Sequence, residues 1–141
     1  MAIALQPISD AKGLASASLT HAAASLVARA MMAAIFLASG VPKLMAFDAA
    51  AKYMAGLGVS PQLLPFVIAI EIGGGVAILL GLFTRWAALA LALLAVATAV
   101  VFHRNLADDA QMIEFMKNIA IGGGLILLAA NGPGRWALLR D

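Results

Sequence analysis

Six side chains of this chain could do chemistry: Arg29, Lys43, Glu71, His103, Lys117 and Asn118. Each lies inside or at the end of a run of apolar residues, where an ionisable group is expensive and therefore informative. Glu71, in Ile70-Glu71-Ile72-Gly73-Gly74-Gly75, is the most telling. A carboxyl in such a setting must be protonated, paired or open to a wet cavity. In a cavity it can accept or donate a proton, while amine, amide and imidazole groups such as Lys117, Asn118 and His103 hydrogen-bond a carbonyl or an oxyanion.

Other chemistries are excluded by the residues present. The sequence has no cysteine, which removes disulfides, thiol relays, Cys-ligated iron–sulfur clusters and covalently attached c-type haem. His21 and His103 fall on opposite sides of the membrane in the reading below, so neither bis-histidine haem nor a zinc site is expected. The methionines Met31, Met32, Met45 and Met54 read as packing residues. Glycine triplets inside apolar helices offer no free N–H groups to a phosphate. A formal net charge of +2, dispersed along the chain, does not describe a nucleic-acid binder.

The elements that must position these groups follow from composition. Of 141 residues, 64% are hydrophobic and 11% charged, and the mean hydropathy is +1.01. A soluble domain is about half apolar and about a quarter charged, so the solvent here is lipid. Four stretches reach the ~17–25 residues that a spanning helix needs: about 22–41, 62–83, 86–103 and 115–131. The sequence therefore predicts an all-α, integral membrane four-helix bundle with antiparallel neighbours, over residues 22–141. Residues 1–21 are expected to be a cytoplasmic lead-in, since Lys12 comes too late and Asp10 precedes it for a secretory signal.

Gly40 and Pro42 are expected to end the first span, and Thr84-Arg85 to join the second and third. The segment Asp48–Ala55 reads as a short interfacial helix capped by Asp48 and stopped by Gly56 and Gly58. Residues 104–114 are expected to be a polar loop. With both termini inside, five basic residues (Lys12, Arg29, Arg85, Arg135 and Arg140) lie on the inner side against four outside. That margin, with Trp86 and Trp136 at the inner interface, favours N-in/C-in.

Span directions then bring the polar residues together. Glu71 lies about nine residues into the second span, roughly 13 Å deep at ~1.5 Å per residue. Lys117 and Asn118 enter the fourth span from the same side, and His103 and Lys43 close the third and first there. At ~100° per residue, Arg29, Phe36, Gly40 and Lys43 share a stripe of the first span. Glu71, Gly75, Ile78, Leu82 and Arg85 share one on the second. Facing each other, the two would place a carboxylate between cations. Structural roles compete at each position: Arg29 as an interface anchor, Lys43 and Lys117 as snorkelling ends, His103 as a helix-dipole partner, and Glu71 paired with Lys117. Ile72-Gly-Gly-Gly and Ile121-Gly-Gly-Gly hint at a parallel repeat, and predict close helix packing.

Several segments in order resemble one family. They are Arg29 with Ile35-Phe36-Leu37-Ala38-Ser39-Gly40-Val41-Pro42-Lys43-Leu44, then Gly58-Val59-Ser60-Pro61, then Ile70-Glu71-Ile72-Gly73-Gly74-Gly75 with Leu80-Gly81-Leu82-Phe83-Thr84-Arg85. Phe102-His103 and Phe115-Met116-Lys117-Asn118-Ile119-Ala120 with Gly122-Gly123 follow. Over about three quarters of its length the chain resembles the DoxX/DoxD family of small four-helix membrane proteins. The tail departs from the family pattern, with Ala137 where a serine is usual after Gly132-Pro133-Gly134-Arg135-Trp136. The resemblance implies a multi-pass protein of the bacterial inner (cytoplasmic) membrane, associated with a redox system. Some members of the family are membrane subunits of a thiosulfate:quinone oxidoreductase, and others are linked to quinone or oxidative-stress tolerance or join soluble oxidoreductases.

Three functions are consistent with the sequence. The first is a redox subunit binding a quinone or a small oxidisable substrate, with Glu71 as the proton-exchanging acid and His103, Lys117, Asn118, Lys43 and Arg29 as binding groups. Such a subunit carries no electron carrier of its own and would need the ligand or an oxidoreductase partner. The second is a non-catalytic anchor or assembly factor for such a partner. The third is a small-solute carrier, which a chain of this size would have to build as an oligomer.

Overall fold

The computed structural model describes residues 9–139, and side chains from residue 17 onward. Five helices follow in order: α1 (Ser9–Met45), α2 (Phe47–Gly56), α3 (Leu64–Leu80), α4 (Thr84–Phe102) and α5 (Asp109–Asn131), with a 3₁₀ turn at Pro61–Leu63 before α3. Four of the described segments are long and apolar enough to cross a membrane: Ala17–Met45, Pro61–Leu80, Thr84–Phe102 and Asp109–Asn131. The molecule is an all-helical membrane bundle. Below, "outer" denotes the end that carries Lys43 and His103.

The spans match the expected ones and their ends differ for physical reasons. Residues 9–21 of the expected lead-in belong to α1, and residues 1–8 lie outside the described residues. At the other end α1 runs through Pro42 to Met45. A proline so near a helix end removes one upstream bond, while residues after it still find acceptors, as Ala46 N–H does on Pro42 at 2.9 Å. Gly40 is not a stop: a Cβ there would sit 2.8 Å from Ile72 Cγ1 and 2.9 Å from Glu71 Cβ. The glycine exists so that α1 and α3 can close.

Asp48 does not cap α2. Ala46 holds the N-cap position with no side-chain bond, and Asp48 lies in the first turn, where its charge favours the dipole. The join between α3 and α4 is Gly81-Leu82-Phe83 rather than Thr84-Arg85. Gly81 has φ 71°, and a Cβ on it would meet Ala137 Cβ at 2.5 Å and Arg29 Nη1 at 2.6 Å. The predicted loop 104–114 is shorter, because Asp108 caps α5 by accepting from Gln111 N–H at 3.1 Å.

Two hairpins, α1 with α3 and α4 with α5, make the main packing units. Small residues let backbones approach, as helices in lipid require. Gly75 packs on Leu37 of α1, and Gly122 on Val96 of α4. A second glycine of each triplet joins the hairpins: a Cβ at Gly74 would meet Leu91 at 2.9 Å, and one at Gly124 would strike Met32. The third, Gly73 or Gly123, faces open space. The core around these contacts is rich in alanine, with Ala33, Phe36, Ile78, Ala88, Leu91, Ala92, Ala95, Leu125 and Ala129 buried.

The inner end is tied by two arginines in matching roles. Arg29 of α1, fully buried, donates to the carbonyls of Ile78 (3.3 Å) and Leu79 (3.1 Å) in the last turn of α3. It also donates to Trp136 O. Arg85 of α4 donates to Ala129 O (3.0 Å) and Ala130 O (2.9 Å) in the last turn of α5. In both, a cation meets the orphan carbonyls and negative dipole end of the neighbouring helix. The C-terminal tail folds back beneath, with Leu138 N–H on Leu80 O and Leu139 N–H on Gly81 O.

Candidate functional site

Toward the outer side the hairpins splay. Along α1, Met32, Ile35 and Ser39 follow one another on one face; opposite them on α5 stand Gly124, Ile121 and Asn118. The two rows touch where Met32 meets Gly124 and then part. On the other side of the bundle Gly74 meets Leu91, and beyond that contact Glu71 and Val67 part from Leu94 and Thr98. Between the hairpins lies a cavity of about 840 Å³, reached by side chains of all five helices. That is within the usual range of ligand sites, ~300–1,000 Å³.

Glu71 sits on one wall of this cavity, 6% exposed. Lys43 Nζ donates to both its oxygens, at 2.7 and 2.8 Å. Ser39 Oγ donates to Oε1 at 3.0 Å and accepts from Lys43 Nζ at 2.6 Å. Ser39 and Lys43 are one turn apart on α1, so a single helix face supplies both partners. The stripes of the first and second spans do face each other, with Gly40 at the crossing. The expected pairing of Glu71 with Lys117 is corrected: Lys117 reaches Glu114, three residues back on α5, at 2.5 Å, with both side chains about half exposed.

The opposite wall carries the remaining polar groups. His103 ends α4, and its Nδ1 lies 3.1 Å from Gln111 Oε1. A carboxamide oxygen only accepts, so Nδ1 is the donor in this contact. Asn118 Nδ2 donates back to Glu114 O at 2.9 Å. Lys43, Glu71, His103, Lys117 and Asn118 all line the cavity, together with Ser39, Tyr53, Thr98 and Glu114. Arg29 does not. It lies at the inner end, its guanidinium spent on carbonyls, so its expected place among the binding groups is corrected. Among the described residues no group of His, Cys, Asp or Glu side chains forms a metal site.

Sequence reasoning missed five contributors, Glu114 among them. Ser39 could have been found from its position four residues before Lys43. Tyr53 and Gln111 gave no such signal, because each depends on where α2 and the start of α5 fall, and for Thr98 the side of α4 it faces was not readable from a single polar residue in an apolar span. Tyr53 of α2 stacks on Phe102 with ring centroids 6.2 Å apart and planes 12° from parallel. Met54 is buried beside Leu64 and Ile68, so α2 forms a roof on the outer end of the cavity.

A bundle of four spanning helices with a polar-walled cavity in its outer half defines the class: a small multi-pass membrane protein with an internal site. The DoxX family model matches residues 24–104, and the chain belongs to that family. It is similar to two proteins of Escherichia coli (strain K12). It is 43% identical to the inner membrane protein YqjF over 115 residues, covering 82% of this chain and 88% of that one. It is 39% identical to the inner membrane protein YphA over 122 residues, covering 82% and 87%. No solved structure matches the chain significantly.

Proposed function

We propose that the chain is an inner-membrane subunit associated with a redox system, and that its outer cavity binds a quinone or a small oxidisable substrate. The names of its relatives support the membrane. The observation that carries the site is the Ser39–Lys43–Glu71 cluster on one cavity wall, facing His103, Lys117 and Asn118 on the other. The Lys117 ammonium and Asn118 amide, each with hydrogens beyond its bond to Glu114, stand beside an apolar chamber and fit a ring bearing carbonyl oxygens. A bound quinone supplies two-electron, two-proton acceptor chemistry, with electrons delivered by a partner oxidoreductase.

The chain's own residues have defined tasks in this reading. Glu71 Oε2 holds or releases a proton, and Lys43, whose side chain is one-third exposed, connects it to the outer surface. Asn118 Nδ2, with a second hydrogen beyond its bond to Glu114 O, donates to a ligand carbonyl from the far wall, and Nε2 of a neutral His103 accepts from a ligand hydroxyl. The fully bonded Ser39–Lys43–Glu71 cluster also supports a second reading, in which it locks helix register in a non-catalytic anchor.

Glu71→Gln separates the two. With the protein in lipid nanodiscs, binding of a short-chain ubiquinone analogue is expected to weaken about tenfold or more, about 1.4 kcal/mol, with the protein still folded and inserted. Unchanged quinone binding with lower bundle stability would favour the lock and overturn the ligand site.

A further inference from the structure

The site proposed above has walls whose polarity changes with depth. On α1 the cavity is lined by Lys43, then Ser39, then Ile35 and Phe36. On α4 the order is His103, Phe102 and Val101, Thr98 and Ala97, then Leu94 and Ala95; on α5 it is Glu114, Lys117 and Asn118, then Ile121. Three helices therefore agree: hydrogen-bonding groups outward, hydrocarbon toward mid-membrane. Glu71 of α3 is level with this polar band, packed at Gly40 and bonded to Lys43 and Ser39, while Leu63, Leu64 and Val67 line the cavity outward of it.

Apolar lining residues of the cavity are exposed on the sides of the bundle. At the α1–α5 cleft, Ile35 lines the cavity and is 45% exposed. At the α3–α4 cleft, Leu63 and Val101 line it and are 51% and 36% exposed. Ile35 lies well within its span, so the surface it exposes faces acyl chains, whereas Leu63 and Val101 lie near the outer ends of theirs. Toward water, α2 covers one side of the chamber through Ala50, Tyr53 and Met54, held by the Tyr53–Phe102 stack, and the half-exposed Glu114 and Lys117 flank the other.

Resting on the ligand-site reading, we infer that the cavity is loaded sideways from the bilayer and takes an amphiphile whose carbonyl-bearing head is continuous with an apolar tail. The head lies beside Lys117, Asn118 and His103, opposite the Ser39–Lys43–Glu71 cluster. The tail runs past Ile35 and Ile121, or past Leu94, into the lipid. A tail-less, water-soluble substrate satisfies the polar wall and leaves the deeper apolar half, and the two clefts, without a purpose.

The test uses the whole chain in nanodiscs and two probes, a decyl-substituted ubiquinone and its tail-less benzoquinone head, each scored by quenching of tryptophan fluorescence and by competition. Ile35→Trp and Val101→Trp narrow the two clefts at positions already exposed, so folding is retained; Leu127→Trp, lipid-facing and away from the cavity, is the control for added indole. The expected result is that the decyl probe binds wild type and the Leu127 variant equally, and at least tenfold more weakly the chain narrowed at both clefts. The tail-less head competes poorly. Unchanged decyl binding in the doubly narrowed chain overturns lateral loading. Equal binding of both probes at equal local concentration overturns the tail requirement. If neither probe binds wild type, the ligand-site reading itself fails, and this inference with it.

Discussion

Removing Lys43 tests the central cluster most directly. Its side chain is 33% exposed and that of Glu71 is 8%, so the pair lies between two regimes. Exposed pairs contribute ~0–1 kcal/mol, whereas deleting one partner of a buried pair costs ~3–5 kcal/mol. Two short bonds from Nζ, with Ser39 bridging, place the expected cost of Lys43→Met at about 2–3 kcal/mol. Glu71→Gln should cost less, since a carboxamide keeps an acceptor for Ser39 and loses only the charge. The double variant leaves no unpaired charge, and should be more stable than the sum of the single losses implies by about 1–2 kcal/mol. Denaturant titration of the four proteins in mixed micelles measures this coupling. Additivity within about 0.5 kcal/mol would refute the pairing, and the site with it.

Two further outcomes follow from the packing. Arg29→Met should destabilise the bundle by several kcal/mol, more than Arg85→Met, because Arg29 is fully buried on three carbonyls whereas Arg85 is exposed; the same titration checks the ranking. Gly40→Ala should cost about 1–3 kcal/mol by forcing α1 off α3, while Gly73→Ala, which meets nothing within 4 Å, should be close to neutral; thermal melting of both variants tests the contrast.

Span number and the level of each polar group were legible because hydropathy and rise per residue act along one axis. Azimuth was not. Glu71 was matched by depth to Lys117, yet Lys43 is its partner because Gly40 draws α1 onto α3 and turns Ser39 and Lys43 toward it. Arg29 was read as facing the site because it shares a stripe with Lys43; the stripe is real, but at its inner end the nearest acceptors are the last carbonyls of α3. The stop signals misled for a related cause. Gly40 and Pro42 look like punctuation, whereas one is a packing surface and the other is absorbed within a turn of the helix end.

The matching arginine ties bear on how the chain is made. Neither guanidinium can complete its bonds until the helix whose carbonyls it needs has returned across the bilayer. A lone α1 or α4 leaving the insertion machinery would carry an unsatisfied cation; a pair leaves with that cation bound. The two-helix hairpin is thereby the smallest piece that lipid accepts without penalty at this position, and the inner-end charges act as a checkpoint on correct threading as well as a clasp.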